Sequence, residues 1–266
     1  MRCIWCKKDD QAPSVEHIIP EALGCPDGFV LTGGTVCRAC NNNLASLDRA
    51  VIDDFDVPAF LAGIPRKGGR PPAILNRGNV RATVGRRGPQ MSFNMDRHPV
   101  RAHDGAALPP VGGSSRNIRA SFERSGRVGT VSFSTEIGRN PKFVRGIVKI
   151  AVSATAYFLG SDTVLSPDFD GVRDFVRNGS GARQILMLMG EGTSYFNQVS
   201  PPFVSEAGGC GIGFRLAHMD FLVDMSPDCS LFPVWKAKAL ELYGETGWTY
   251  LPPERAGKSE PRKRSR

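Results

Sequence analysis

Four of the seven cysteines form two pairs with the spacing of a zinc site. Cys3 and Cys6 make one C-x-x-C pair, Cys37 and Cys40 make a second, and 30 residues separate the pairs. Each pair places two thiolates within reach of one ion, and two pairs complete the closed tetrahedral site that Zn²⁺ favours. A redox pair would be single and would follow a strand of a βαβ unit. Because seven is an odd number and a reducing cytosol disfavours disulfides, we predict structural zinc at these four cysteines.

A histidine between the two cysteine pairs has neighbours suited to acid–base and metal chemistry. His17 lies in the apolar segment Val15–Ile19, which Pro20 closes and which is typical of a short strand. A neutral imidazole accepts a proton near pH 7, and the adjacent Glu16 offers a hard oxygen ligand for Mg²⁺ or Mn²⁺. Asn41, directly after the second pair, offers a carbonyl oxygen and suits the start of a helix. Taken alone, Glu16 and His17 are more often a simple hydrogen-bonded pair than a site.

The order of these elements resembles a known nuclease family. C-x-x-C, then Glu-His-Ile-Ile-Pro-x-x-Leu-Gly, then C-x-x-C-Asn is similar to the HNH (His-Me finger, ββα-metal) nucleases whose finger is held by four zinc-binding cysteines. The resemblance covers about the first 55 residues. It implies a metal-dependent endonuclease that hydrolyses phosphodiester bonds in DNA. It also implies that His17 is the general base and that Glu16 and Asn41 bind a catalytic divalent metal, Mg²⁺ or Mn²⁺, while zinc is structural.

The chain departs from the family pattern in a few positions. Many relatives carry an Asn about five residues before the second cysteine pair, where this chain has Thr32 or Gly33. Glu16 replaces the Asp of many relatives, which lengthens that arm by one methylene. Asn42 is an alternative ligand to Asn41. Asp48 is a further polar group near the site, although we expect a solvated helix position for it.

The positive charge is concentrated in two parts of the chain. The 266 residues carry 34 Lys+Arg and 26 Asp+Glu, a formal net charge of +8. Residues 1–60 have a net charge of −4, residues 61–125 of +9, residues 126–251 of −1 and residues 252–266 of +4. This distribution is typical of a protein with a polyanionic partner, nucleic acid above all, although a solvated basic face without a partner has the same composition.

The hydrophobic pattern predicts an α+β fold in three parts. Residues 1–60 are expected to form the zinc-stabilised ββα-metal finger, with a helix that carries an apolar stripe from Leu44 to Phe55. Residues 61–251 are expected to form a larger α+β domain that binds substrate, with antiparallel strands in its basic first part, and residues 252–266 a disordered basic tail. Within the second domain we predict helices at 141–160, 168–176 and 234–243 and strands at 80–84, 128–133, 184–189 and 211–225.

We expect no catalytic role for the other cysteines and histidines. We interpret Cys25, Cys210 and Cys229 as small buried hydrophobic residues, and His98, His103 and His218 as surface or structural residues. No apolar run of 18 residues, secretory h-region, P-loop, dinucleotide fingerprint or serine nucleophile motif occurs, so a cytoplasmic protein without a membrane segment is expected.

Two other functions stay open: a catalytically inactive zinc finger that only binds nucleic acid, and a zinc enzyme of another class, for which no open three-ligand site can be found.

Overall fold

The computed structural model describes most of the chain as helices and antiparallel strands. The described residues are 2–66, 68–77, 80–85, 88–93, 119–125, 128–134, 137–138, 140–189, 196–205 and 209–252. Helices and antiparallel strands are mixed along the chain, which confirms the predicted α+β class. No helix among these residues is long and apolar enough to cross a membrane.

The N-terminal part has the ββα order that the resemblance implies. Two short strands are followed by two helices: β1 (Glu16–His17), β2 (Val30–Leu31), α1 (Arg38–Asp54) and α2 (Asp56–Leu61). β1 and β2 are antiparallel, with Glu16 opposite Leu31 and His17 opposite Val30. We call residues 3–54 the finger.

Residues 73–134 contain two small antiparallel sheets. Their strands are β3 (Ala73–Arg77), β4 (Val80–Gly85), β5 (Gly88–Phe93), β6 (Arg119–Ser125) and β7 (Val128–Ser134). β3, β4 and β5 form one sheet and β6 and β7 form another, which confirms the strands predicted at 80–84 and 128–133. α2 packs against the first sheet, since Val57 and Phe60 share a small apolar cluster with Ile74 and Ala82. Residues 94–118, with His98 and His103, lie outside the described residues.

The described residues 137–252, which we call the body, contain a larger antiparallel sheet and four helices. The helices are α3 (Pro141–Leu159), α4 (Ser161–Leu165), α5 (Asp170–Asn178) and α6 (Leu231–Tyr243). The strands are β8 (Ile185–Met189), β9 (Gln198–Val199), β10 (Phe203–Val204), β11 (Cys210–Leu216), β12 (Met219–Asp224) and β13 (Trp248–Leu251). The strand order is β10-β11-β12-β8-β13, and β9 also pairs with β11.

Alternate residues of the body sheet face two different layers. On β8, Ile185 and Met187 contribute to the main core, whereas Leu186 lies in a second cluster with Phe232 and Ala239 of α6. This two-residue alternation is the side-chain period of a strand. The sheet therefore has α6 on one face and the main core, with α3, on the other.

α3 is buried on nearly all sides because it packs between the finger and the body sheet. Asn140 caps its N-terminus, Pro141 is in its first turn, and thirteen of its residues are buried. The main core runs without a break from the finger into the body. At one point Phe55, which follows α1, contacts Phe143 of α3 and Phe221 of β12 at ring-centroid distances of 6.2 and 6.1 Å. The predicted boundary near residue 60 lies at the end of α2, and the division of the chain into two domains stays a prediction.

Three predicted elements have different bounds in the structure. The single strand predicted at 211–225 is wrong, because the chain turns at Ala217 and His218 and forms the β11–β12 hairpin. Ala217 has a φ of 56°, a left-handed conformation that is uncommon for alanine and could not be predicted from its residue type. The helix predicted at 168–176 begins with a 3-10 turn and continues as α5 to Asn178, and the last helix begins at Leu231 rather than at Val234. Of the predicted tail, residues 253–266 lie outside the described residues.

Candidate active site and zinc centre

The four predicted cysteines meet at one point. The Sγ atoms of Cys3, Cys6, Cys37 and Cys40 all lie within 4.8 Å of one another. Four sulfurs around one Zn²⁺ at about 2.3 Å would be about 3.8 Å apart, and the Cys6 and Cys37 sulfurs are 3.9 Å apart. Among the described residues this is the one group of three or more His, Cys, Asp or Glu side chains close enough to hold an ion. The donor set and the spacing fit zinc.

The backbone around the cysteines orients their sulfurs. A turn at residues 4–6 brings the Lys7 N–H to the Cys3 carbonyl at 2.9 Å, with Lys7 at a φ of 58°. Cys37 is the N-cap of α1, and its sulfur accepts the Cys40 N–H at 3.4 Å. The Cys3 sulfur accepts the Cys37 N–H at the same distance. These N–H groups favour thiolate over thiol, which is the form that binds a metal.

Burial and hydrogen bonding act against each other on the thiols. Burial raises the pKa of Cys3 and of Cys40 above the usual value. For Cys37 burial also acts to raise the pKa, but the Cys40 N–H and the neighbouring thiols outweigh it and lower the pKa. Three of the four thiols are buried, so a bound cation is the simplest way to hold several of them as thiolates.

His17 is on the exposed face of the finger. Its neighbours on both sides, Glu16 and Ile18, are buried, as expected for alternation along a strand. Ile18, Ile19 and Pro20 anchor the segment in the core, and the Ile18 N–H donates to the Phe29 carbonyl at 3.3 Å. The His17 imidazole therefore reaches solvent, while the residues on either side of it are held in the core.

Asn41 connects the helix to the strand that carries His17. Its Nδ2 donates to the Ser14 hydroxyl at 2.9 Å and to the Val15 carbonyl at 3.0 Å, two residues before His17. None of the hydrogen bonds found among the described residues uses its Oδ1. α1 begins at Arg38, so Asn41 lies in the helix rather than at its start, and the expected helix-start position is corrected. The next residue, Asn42, is exposed.

Glu16 points into the interior, where it meets a lysine from the body. Its side chain is 2% exposed and forms an ion pair with Lys149 of α3, which is also 2% exposed. The Lys149 ammonium also donates to both carboxylate oxygens of Asp48, at 2.7 and 2.8 Å. Asp48 is therefore not simply a solvated helix position: its side chain is 23% exposed and is paired with Lys149 of α3, which lies beside α1. We call Glu16, Asp48 and Lys149 the buried triad.

In the buried triad, burial and the neighbouring charges shift the pKa of each group in opposite directions. Burial raises the pKa of Glu16, although the Lys149 ammonium opposes this shift. Burial alone would lower the pKa of Lys149, but Glu16 and Asp48 outweigh it and raise the pKa. The structure thus brings Glu16 together with Lys149 and Asp48, and it does not bring its carboxylate to the exposed side with His17. The Glu16 carboxylate is thus paired with Lys149, and the divalent-metal site of Glu16 and Asn41 stays a prediction.

The position of the missing family Asn is a tight turn. Thr32, Gly33, Gly34 and Thr35 form it, with Gly33 and Gly34 at φ of 65° and 84°. Both the N–H and the hydroxyl of Thr35 donate to the Thr32 carbonyl, at 3.2 and 2.9 Å. Backbone bonds and two left-handed glycines therefore shape this loop.

The remaining cysteines and His218 differ in how far they are buried. Cys210 is buried as expected, whereas Cys25 and Cys229 are half-buried. His218 is half-buried at the β11–β12 turn. Lys149 was missed by reasoning from sequence, although one signal was present: it is a charged residue within the apolar run from Ile147 to Val152.

A cleft with arginines lies beside the finger helix. Its volume is about 220 Å³, and it is lined by Arg49 of α1, by Leu23 after Pro20, and by Arg66 and Arg70. Its apolar lining includes Ile64. Arg49 also pairs with Asp53 at 2.9 Å, one turn further along α1.

Comparison with family models gives one result, for the part of the chain that contains this site. Residues 3–56 match the model of a family described as HNH endonuclease. Comparison with curated proteins and with solved structures gives no significant match. The matched segment contains the four-cysteine cluster and the whole ββα unit. Residues 3–56 are therefore similar to the HNH endonuclease family.

Proposed function

We propose that the chain is a metal-dependent endonuclease that hydrolyses phosphodiester bonds in DNA. The observation that carries the proposal is the exposed His17 on β1, within a ββα unit whose four cysteines fit a zinc ion. The family match supports nuclease-type activity in the same residues. The choice of DNA and of the individual catalytic residues is our proposal.

In this proposal His17 is the general base. A neutral imidazole on the solvent side accepts the proton of a water molecule that attacks the phosphorus atom, and the 3′ oxygen leaves. Asn41 holds the backbone before His17 through the Val15 carbonyl, so that the imidazole keeps one position relative to α1. Zinc at the four cysteines has no open coordination position and stabilises the finger.

Mg²⁺ or Mn²⁺ is the catalytic metal in the proposal, with Glu16 and Asn41 as the predicted ligands. Such an ion neutralises charge that develops on the phosphate oxygens. The Asn41 carbonyl oxygen is available for it, whereas the Glu16 carboxylate is paired with Lys149. We therefore assign no reaction step to the ion.

Residues 1–60, which include the finger, have a net charge of −4, so most of the attraction for substrate comes from residues outside this segment. Residues 61–125, with a net charge of +9, follow the finger directly. Arg66 and Arg70 of this segment line the cleft next to α1, together with Arg49. Arginines around a concave surface are suited to the phosphate backbone of nucleic acid.

A nicking assay tests the proposed activity. Supercoiled plasmid is incubated with the zinc-loaded chain in Mg²⁺, in Mn²⁺ and without a divalent ion, and DNA binding is measured at several salt concentrations. We expect nicking that requires Mg²⁺ or Mn²⁺. Salt-dependent binding without cleavage in every metal would instead support the alternative, a catalytically inactive zinc-finger module that binds nucleic acid. The pairing of Glu16 with Lys149 is the observation that keeps this alternative open.

A further inference from the structure

The buried triad joins three elements that are far apart in the sequence. Glu16 comes from β1, Asp48 from α1 and Lys149 from α3 of the body. Both carboxylates contact the same ammonium nitrogen, with the Asp48 oxygens at 2.7 and 2.8 Å. Two carboxylate oxygens that share one nitrogen at hydrogen-bond distance are no more than about 5.5 Å apart.

The helix packing explains why a lysine reaches this position. A Cβ built on Gly146 would be 2.9 Å from the Leu47 carbonyl oxygen and 2.5 Å from Val51 Cγ2, so α3 approaches α1 closely there. Lys149 is three residues later, on the same side of the helix. The close approach therefore directs the lysine toward Asp48 and, beyond it, toward Glu16.

The charges of the triad do not cancel. Two carboxylates and one ammonium have a formal sum of −1, and Glu16 and Lys149 are each 2% exposed. Without the ammonium, the buried Glu16 carboxylate would face the half-buried Asp48 carboxylate with no counter-charge between them, which is costly. A divalent cation is the other group that would satisfy two hard carboxylates at this separation.

We propose that Lys149 takes the place of a divalent cation between Glu16 and Asp48. In the intact chain the ammonium excludes a metal ion from these carboxylates and holds β1, and with it the backbone of His17, against α1 and α3. Lys149 is thus a positioning residue that the body supplies to the finger. The exclusion of metal rests on the packing alone, and only its consequence for His17 rests on the proposed function.

The test removes the ammonium by substitution and measures whether a divalent metal ion restores the lost thermal stability. Lys149→Met removes the charge and shortens the side chain by only one heavy atom, so we expect the melting temperature of the full zinc-loaded chain to fall by roughly 10 °C. Added Mn²⁺ should bind between the freed carboxylates and recover at least half of that loss in a concentration-dependent way. Mn²⁺ bound to oxygen ligands should also be visible by electron paramagnetic resonance in the variant. In the wild type, Glu16→Gln should leave Mn²⁺ binding unchanged, because the ammonium keeps the ion away from these carboxylates.

Matched variants separate this effect from a general loss of packing. Lys142→Met is the same substitution on the same helix at an exposed position, and it should change neither stability nor Mn²⁺ binding. In the double variant Lys149→Met with Glu16→Gln, the Mn²⁺ effect should disappear. If Lys149→Met does not fold alone, refolding with and without Mn²⁺ gives the same comparison, and recovery only with Mn²⁺ is the expected result.

Two outcomes would overturn the proposal. One is a Lys149→Met protein whose stability or refolding does not respond to Mn²⁺. The other is a wild type whose Mn²⁺ binding is weakened by Glu16→Gln, since Glu16 would then bind metal beside the lysine. Neither outcome by itself decides whether the chain cleaves DNA, which the nicking assay measures separately, so failure here is distinguishable from failure of the proposed nuclease activity.

Discussion

The finger and the body are stabilised by different means. In the finger each strand has two residues, so β1 and β2 contribute little hydrogen bonding of their own. Its loops depend on four cysteines around one point and on the packing of α1. In the body, strands of up to seven residues pair in one sheet, and apolar side chains fill both of its faces.

This difference bears on the proposal that the chemistry is in the finger. The body buries most of α3. The finger holds a histidine at its surface on a very short strand, which on its own would be too weak to fix a side chain. The four-cysteine cluster, Asn41 and the contact with α3 provide the rigidity that the strand lacks.

Loss of the zinc site should have the largest effect, and it should be confined to the finger. Cys40→Ser, or removal of zinc by a chelator, should unfold residues 3–54 and lower the melting temperature by at least about 10 °C. Trp5 is buried in the finger, whereas Trp235 and Trp248 are in the body, so a red shift of Trp5 emission reports the finger separately.

The control for the zinc experiment is a thiol in the finger that is not in the cluster. Cys25→Ser keeps a donor for the Phe29 carbonyl and should retain zinc and the native Trp5 emission. A zinc-free chain with unchanged Trp5 emission would contradict the view that the metal stabilises the finger.

The contact between finger and body should tolerate no added volume at Gly146. Gly146→Ala would bring a Cβ to 2.5 Å from Val51 and should destabilise the chain by about 2–3 kcal/mol, as overpacking does. Gly171→Ala, in α5, would meet only Arg183 Nη2 at 3.6 Å and should stay within about 1 kcal/mol of the wild type. Chemical denaturation measures both. Equal stabilities would mean that α1 and α3 are free to separate.

A smaller effect is expected within the finger at Asn41. Asn41→Ala removes two hydrogen bonds to the segment before His17 and should cost about 2 kcal/mol of stability. Its nicking rate should fall roughly 10- to 100-fold, because His17 loses its fixed position. Asn42→Ala changes the exposed neighbour and should be within about twofold of the wild type. A larger loss for Asn42→Ala than for Asn41→Ala would show that the two roles were assigned to the wrong residue.

Local patterns in the sequence predicted the finger and α3 well. Cysteine spacing identified the cluster, the apolar period identified α1, and Pro141 with Gly160 identified the ends of α3. These features depend on neighbouring residues, and their physical rules are short-range.

Contacts between distant residues could not be predicted in the same way. Glu16 and Lys149 are 133 positions apart, and nothing near Glu16 indicates that α3 covers it. The β11–β12 hairpin was missed because its turn contains Ala217 in a left-handed conformation, without the Gly or Asn that usually marks such a turn. The buried triad explains why Glu16 looks like a metal ligand in the sequence and a lysine partner in the structure.

The most direct measurement is the single-turnover nicking rate of His17→Ala, compared with wild type at equal zinc content. Because His17 is exposed, the variant should keep its melting temperature. Val15→Ala changes another exposed side chain beside β1, 54% exposed, and should cleave like the wild type. The account predicts a fall of about 10²- to 10⁴-fold for His17→Ala, the contribution of a general base. Equal rates for His17→Ala and wild type would contradict it.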